Sequence, residues 1–111
     1  MNCAVQGYLQ VKKNEFWSTL LQQDNWESNF YVLTNVGILV FEEDNFLNPT
    51  RLVPLGSLGL QKLTKKACGG KSFGFKLSIG DSEDLILRAP DQKQFDNWIS
   101  SLTALIDEAK N

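Results

Sequence analysis

The 111-residue chain contains no histidine and little cysteine. Without histidine, the Ser-His-Asp triad, an imidazole general base and the commonest transition-metal ligand are all excluded. The two cysteines, Cys3 and Cys68, match no metal-binding or redox spacing. We therefore expect two reduced thiols in an intracellular protein, with no disulfide between them.

A surplus of positive charge is also missing. The formal net charge is −2 at pH 7, whereas nucleic-acid-binding domains usually carry a basic excess. No apolar run approaches the ~18 residues that a membrane-crossing helix needs. The GGKS stretch at Gly69–Ser72 resembles the end of a P-loop, but Lys65 stands where that motif requires glycine. We expect no enzymatic activity, no cofactor or metal, and no nucleic-acid partner.

Short alternating segments dominate the first four-fifths of the chain. In the first of them, Leu9 and Val11 fall on one face and Tyr8, Gln10 and Lys12 on the other, as in a half-buried strand. Strands of this length and spacing are typical of a small sandwich or barrel. The predicted strands are Val5–Lys13, Asn29–Thr34, Gly37–Glu43, Arg51–Leu55, Leu58–Lys65, Phe73–Ile79 and Asp84–Ala89.

The spacing of the apolar residues changes near the C-terminal end. From Phe95 onward the apolar residues recur at the spacing of one face of an α-helix. Asp91 is a suitable N-cap, and Gln94 completes a capping box. The pattern predicts a helix over Asp91–Ala109, about 28 Å long at ~1.5 Å per residue. Its apolar face comprises Phe95, Trp98, Ile99, Leu102, Leu105 and Ile106.

Seven short strands followed by an amphipathic helix with a central tryptophan resemble a pleckstrin homology (PH) domain. The matching stretches are GYLQVKK, WESNFYVL, GILVFEE and RLVPLGSL in strands one to four, DLILRAPD before the helix and QFDNWISSL within it. The resemblance implies a mostly β fold, a seven-stranded bent antiparallel barrel capped at one end by the C-terminal α-helix. It also implies one domain over residues 1–111, with a core of about 5–109, belonging to a larger signalling or trafficking protein.

The resemblance also shows that this sequence lacks the basic phosphoinositide-binding motif of the family. Phosphoinositide-binding members of this family carry a lysine four residues after the strand-one glycine, and Lys/Arg-x-Arg directly after the strand-two tryptophan. Here those positions hold Val11, Glu27 and Asn29. We expect the standard pocket to repel a polyphosphorylated headgroup. The loops predicted to flank it add negative charge at Glu42, Glu43, Asp44, Asp81, Glu83 and Asp84.

Five lysines form a candidate non-standard lipid site. In the family's topology the strand 1–2 and strand 5–6 loops lie near each other, and some members bind phospholipid headgroups there. The alternative is that these lysines are simply solvated. Each lysine near an anionic leaflet would contribute about 1 kcal/mol to binding. The site comprises Lys12, Lys13, Lys65, Lys66 and Lys71.

The segment EFWSTLL in the strand 1–2 connector is a candidate membrane or partner contact. Aromatic side chains beside lysines suit a membrane interface, and an exposed aromatic patch equally suits a protein partner. Alternatively, the segment extends the hairpin or folds back over the barrel. The residues concerned are Phe16, Trp17, Leu20 and Leu21.

Two functions remain open at this point. One is a non-catalytic recruitment or adaptor module that lacks the standard pocket and binds a protein partner, an anionic membrane weakly, or both. The alternative is a membrane-targeting domain that uses the lysine site and inserts the apolar loop into lipid. In either case we expect a monomeric, cytoplasmic domain that can associate peripherally with membranes.

Overall fold

The computed structural model describes residues 3–13, 25–42 and 46–110. Within these ranges the chain forms seven strands, two short 3-10 turns at Leu55–Ser57 and Lys66–Cys68, and one α-helix. The strands are β1 (Cys3–Lys13), β2 (Asn25–Thr34), β3 (Gly37–Glu42), β4 (Arg51–Pro54), β5 (Leu58–Lys62), β6 (Gly74–Ile79) and β7 (Glu83–Arg88), and the helix is α1 (Gln92–Lys110).

All seven strands belong to one antiparallel sheet in the order β4-β3-β2-β1-β7-β6-β5. β1 pairs with β2 along most of its length, and with β7 at Gln10↔Arg88 and Val11↔Leu87. β4 and β5 form the two edges, so the sheet is not closed as the word barrel would suggest. Pro54 ends β4 and supplies no N–H for a further ladder bond, which is consistent with an edge. The predicted seven antiparallel strands and C-terminal helix are confirmed.

Two predicted strand boundaries were wrong by three or more residues, and the others agree with the structure to within two residues. β2 begins at Asn25, four residues before the predicted start at Asn29. Its polar first half is held by main-chain pairing with β1, including Val11↔Glu27 and Lys12↔Trp26, and this pairing outweighs weak strand propensity. β5 ends at Lys62, three residues before the predicted end, because the chain turns toward the 3-10 segment Lys66–Cys68.

The core lies between the inner face of the sheet and α1. The helix contacts β5, β1 and the 3-10 turn Leu55–Ser57, and therefore covers the opening between the sheet edges. The Asp91 carboxylate accepts a hydrogen bond from the Gln94 N–H at 2.8 Å, which confirms the predicted N-cap. The helix buries Trp98, Leu102 and Ile106 against the sheet.

Three further observations concern the cysteines, the helix and potential metal ligands. Neither Cys3 nor Cys68 forms a disulfide; the first is exposed and the second is buried. Among the described residues, no helix combines the length and apolar character required to span a bilayer, and no cluster of three or more potential metal-ligating side chains occurs.

Candidate functional site

The inner face of the sheet ends in a small cavity, which we call the mouth cavity. It has a volume of about 180 Å³. Strand alternation places Val11 and Asn29 on the inner face with Leu9 and Tyr31, and the cross-strand pairs Asn29↔Glu42 and Val40↔Arg51 extend this surface to β3 and β4. The lining residues are Val11, Asn29, Tyr31, Val40, Glu42, Thr50, Arg51 and Leu85.

Asn29 is a buried polar residue of this cavity. The residue is 7% exposed, and its side-chain amide lies close enough to the Tyr31 hydroxyl to lower the pKa of that group. Its Oδ1 atom accepts no hydrogen bond from any described residue. The pKa of the Tyr31 hydroxyl is raised above its ordinary value, mainly by burial; the Asn29 amide opposes this shift, Glu27 adds to it and the Arg51 charge opposes it. Both charged side chains therefore act electrostatically on the cavity.

Arg51 is already bound within the protein. Its Nη1 donates to the Glu83 Oε2 at 2.7 Å, and its Nη2 donates to the Glu83 Oε1. This bidentate bond lowers the pKa of the Glu83 carboxyl and raises that of the Arg51 guanidinium. The two side chains are 40% and 41% exposed, so we expect the pair to contribute at most about 1 kcal/mol. It joins the start of β4 to the start of β7.

The structure brings together two of the three motif positions as the sequence suggested. Val11 and Asn29 line the mouth cavity, and Glu27 lies half-buried on β2 opposite Val11. Alternation places Lys12 on the other face of β1, so the motif position on the inner face is Val11. Of the acidic loop residues, Glu42 lines the cavity, Asp81 and Asp84 are exposed, and Glu83 is bonded to Arg51. Glu43 and Asp44 lie outside the described residues.

A second candidate site lies on the outer face of β1, around Arg88. The guanidinium carbon of Arg88 is 5.5 Å from the centroid of the Trp26 ring, within cation–π range. Its Nη1 donates to the Gln10 Oε1 at 2.5 Å, and its Nε donates to the Ser72 carbonyl at 3.2 Å. Sequence analysis did not identify Arg88, because its partners come from three distant strands and turns. A cavity of about 310 Å³ lies beside it, lined by Tyr8, Leu9, Gln10, Ser28, Arg88, Ala89 and Pro90.

Three of the predicted lysines lie on the β5–β6 connection. Lys65, Lys66 and Lys71 are all exposed, and the Gly70 N–H donates to the Lys65 carbonyl at 2.8 Å. The sheet register places this connection beyond Arg88, on the side away from Lys13. The bond from Arg88 to Ser72 links it to β7, and the bond from Arg88 to Gln10 continues this link to the outer face of β1.

The remaining predicted contact residues lie on β1 or outside the described part of the chain. Lys12 lies on β1, paired with Trp26, and is partly buried. Lys13 ends β1, but its side chain is outside the described part of the structure. The segment with Phe16, Trp17, Leu20 and Leu21 also lies outside the described residues, so the aromatic-loop hypothesis stays a prediction.

Comparison with known proteins agrees with this architecture. The family model described as PH domain matches residues 4–107. No curated protein sequence matches the chain. The PH domain of human pleckstrin homology domain-containing protein family A member 5 superposes with a TM-score of 0.75 at 12% identity, covering 94% of this chain and 77% of that one.

Two further solved structures show the same fold. The crystal structure of SifA and SKIP matches with a TM-score of 0.77 and 19% identity, over 93% of this chain and 97% of that chain. The C-terminal PH domain of pleckstrin, in complex with D-myo-Ins(1,2,3,5,6)P5, matches with a TM-score of 0.69 and 15% identity, over 99% and 97% of the two chains. Together with the family model and the observed strand order, these likenesses establish that the chain belongs to the PH domain family.

Proposed function

We propose that this domain recruits a protein partner and does not bind polyphosphorylated inositides tightly at the standard site. PH domains are generally non-catalytic modules of signalling and trafficking proteins that bind lipids or proteins. Within that range, the proposal assigns this chain to the protein-binding class, as one domain of a larger cytoplasmic protein.

The chemistry of the mouth cavity is the observation that supports this assignment. Tight binding of phosphate groups depends on charge-assisted hydrogen bonds from lysine or arginine. Arg51 is the only cationic side chain among the described residues lining the cavity, and Glu83 already engages it at both terminal nitrogens. Glu42 lines the same cavity, so an incoming phosphate would approach a carboxylate.

Calorimetric titration with soluble inositol polyphosphates tests the proposal. We expect no sub-micromolar binding by the unmodified domain. The triple variant Val11→Lys, Glu27→Arg, Asn29→Arg restores the family's basic motif and should gain affinity, although Glu42 will still oppose it. Sub-micromolar binding by the unmodified domain, lost on substituting Arg51, would contradict the proposal.

Weak attraction to anionic membranes is a second candidate function. The geometry around Arg88 favours it, since the hydrogen bonds of this side chain tie the connection bearing Lys65, Lys66 and Lys71 to the outer face of β1. Exposed lysines near an anionic leaflet each contribute about 1 kcal/mol. Their attraction would be screened as salt is raised.

Liposome sedimentation with anionic vesicles distinguishes this second function from nonspecific attraction. Lys65→Glu with Lys66→Glu should weaken binding and flatten its salt dependence. Lys93→Glu with Lys110→Glu changes the net charge equally on exposed positions of α1 and serves as the control. Equal effects of the two double variants would refute a lipid site at the β5–β6 connection. Absence of liposome binding by the unmodified domain would leave protein recruitment as its function.

A further inference from the structure

We infer that the mouth cavity binds a cationic side chain, lysine or arginine, of the protein partner. The inference rests on the proposed function, because it requires a protein partner. It goes further in assigning to the standard site a ligand of opposite charge to a phosphoinositide.

The unpartnered oxygen of Asn29 is the first reason. A buried polar atom without a hydrogen bond costs roughly 1–3 kcal/mol, and Asn29 Oδ1 is in this condition in a residue that is 7% exposed. The amide group of the same side chain lies near the Tyr31 hydroxyl and lowers its pKa, whereas the oxygen has no hydrogen-bond partner among the described residues. An ammonium or guanidinium group is a donor only, so it matches this acceptor.

The placement of Glu42 is the second reason. Glu42 pairs directly with Asn29 across β2 and β3, and residues paired in this way carry their Cβ atoms about 5 Å apart on one face. A cation bonded to Asn29 Oδ1 would therefore lie within reach of the Glu42 carboxylate. That contact would be charge-assisted and would add to the neutral bond from the amide oxygen.

The surrounding charge favours a cation. Glu27 is close enough to raise the pKa of Tyr31, and alternation places it on the inner face two positions before Asn29. Arg51 contributes the opposing positive charge, but its bidentate bond to Glu83 largely offsets it. Glu42 also lines the cavity, whereas the Arg51 guanidinium is already engaged by Glu83.

The size and walls of the cavity suit a single side chain. Its volume of about 180 Å³ is below the ~300–1,000 Å³ of pockets for drug-sized ligands. Val11, Val40 and Leu85 provide apolar walls, along which the aliphatic part of a lysine or arginine can pack while its charged end reaches the polar groups.

Titration followed by NMR tests the inference with defined probes. The ¹⁵N-labelled domain would be titrated with the blocked amino acids Nα-acetyl-lysine methylamide and Nα-acetyl-arginine methylamide. The norleucine and glutamate analogues serve as neutral and anionic controls. We expect saturable shifts of the Asn29 side-chain amide with a cationic probe, at a dissociation constant of about millimolar or weaker because the probes are so small. The neutral and anionic analogues should produce none.

Three variants separate this site from general attraction to an acidic protein. Asn29→Leu should abolish the saturable shifts of the remaining cavity residues, and Glu42→Gln should weaken binding up to about fivefold, the effect of an exposed ion pair. Glu108→Gln removes one exposed carboxylate on α1 and should leave the affinity unchanged. If Asn29→Leu does not fold, the affinities of Glu42→Gln and Glu108→Gln for the cationic probe still test whether the site is specific, because only Glu42→Gln should bind more weakly.

The outcomes also distinguish the inference from the proposed function. Equal loss of affinity in Glu42→Gln and Glu108→Gln, or saturable binding of the glutamate analogue at Asn29, would overturn the cation site. An absence of any saturable shift with the cationic probes would overturn it as well, while leaving protein recruitment intact. Only tight binding of inositol polyphosphate in the same cavity would overturn both.

Discussion

Replacement of Gly74 by alanine should destabilise the domain through one identifiable contact. A Cβ atom added at Gly74 would lie 2.0 Å from the Cys68 Sγ and 3.4 Å from the Cys68 Cβ. Favourable contact between heavy atoms begins at about 3.5–4.0 Å, and Cys68 is 1% exposed and cannot move into solvent. We expect Gly74→Ala to lower the free energy of unfolding by about 1–3 kcal/mol, the usual cost of overpacking.

A double-mutant cycle in urea can attribute this loss to the sulfur atom. Cys68→Ala alone should cost roughly 1 kcal/mol through lost burial and a small cavity. In the double variant the new methyl group occupies space that the sulfur has left, so its stability should exceed the additive expectation by roughly 1–3 kcal/mol. Additive losses would refute the clash as the cause.

Gly7→Ala is the matched control for this cycle. Gly7 also lies in a strand, and neither glycine is among the described residues with positive φ. A Cβ atom at Gly7 would meet the Gln94 Oε1 at 2.9 Å, but that atom ends a flexible side chain and can move aside. We expect a change within about 0.5 kcal/mol. A loss as large as that of Gly74→Ala would point to a general cost of alanine in these strands.

Two further predictions concern stability. Trp98→Ala should lower the free energy of unfolding by about 3–5 kcal/mol in urea titrations, since Trp98 is 1% exposed on the sheet-facing side of α1. A loss below about 1 kcal/mol would contradict its role in the core. Glu83→Gln should cost at most about 1 kcal/mol at pH 7. Because Arg51 lowers the Glu83 pKa below its ordinary value of 4.5, this stabilisation is complete above that pH and is lost as the pH falls through the folded-state pKa. Unfolding titrations should therefore show a smaller difference in the free energy of unfolding between the unmodified domain and Glu83→Gln at pH 3 than at pH 7. An equal difference at the two pH values would exclude the ion pair as its cause.

The parts of the fold that were predictable from sequence are those with a local period. The apolar residues from Phe95 to Ile106 determine the face of α1, and Asp91 determines its start. The first four residues of β2 were missed because Asn25, Glu27 and Ser28 have little strand propensity, and only their pairing with β1 makes them a strand.

The candidate site was predictable only where family resemblance identifies positions. Val11 and Asn29 were recognised in this way and do line the mouth cavity. The bond between Arg51 and Glu83 joins residues 32 positions apart, and Arg88 draws its partners from β1, β2 and the β5–β6 connection. No spacing in the sequence marks such contacts, because they depend on how non-consecutive strands meet.

The narrow pairing between β1 and β7 has a consequence for how the domain would open. The strands β1 to β4 and the strands β5 to β7 form two meanders, joined in the sheet by the register pairs Gln10↔Arg88 and Val11↔Leu87. α1 bridges them by contacting β1 on one side and β5 on the other. The helix therefore holds the two meanders together across the short β1–β7 pairing. Its detachment would let the two meanders part before either one melts, and amide hydrogens at the junction should exchange with solvent together with those of α1.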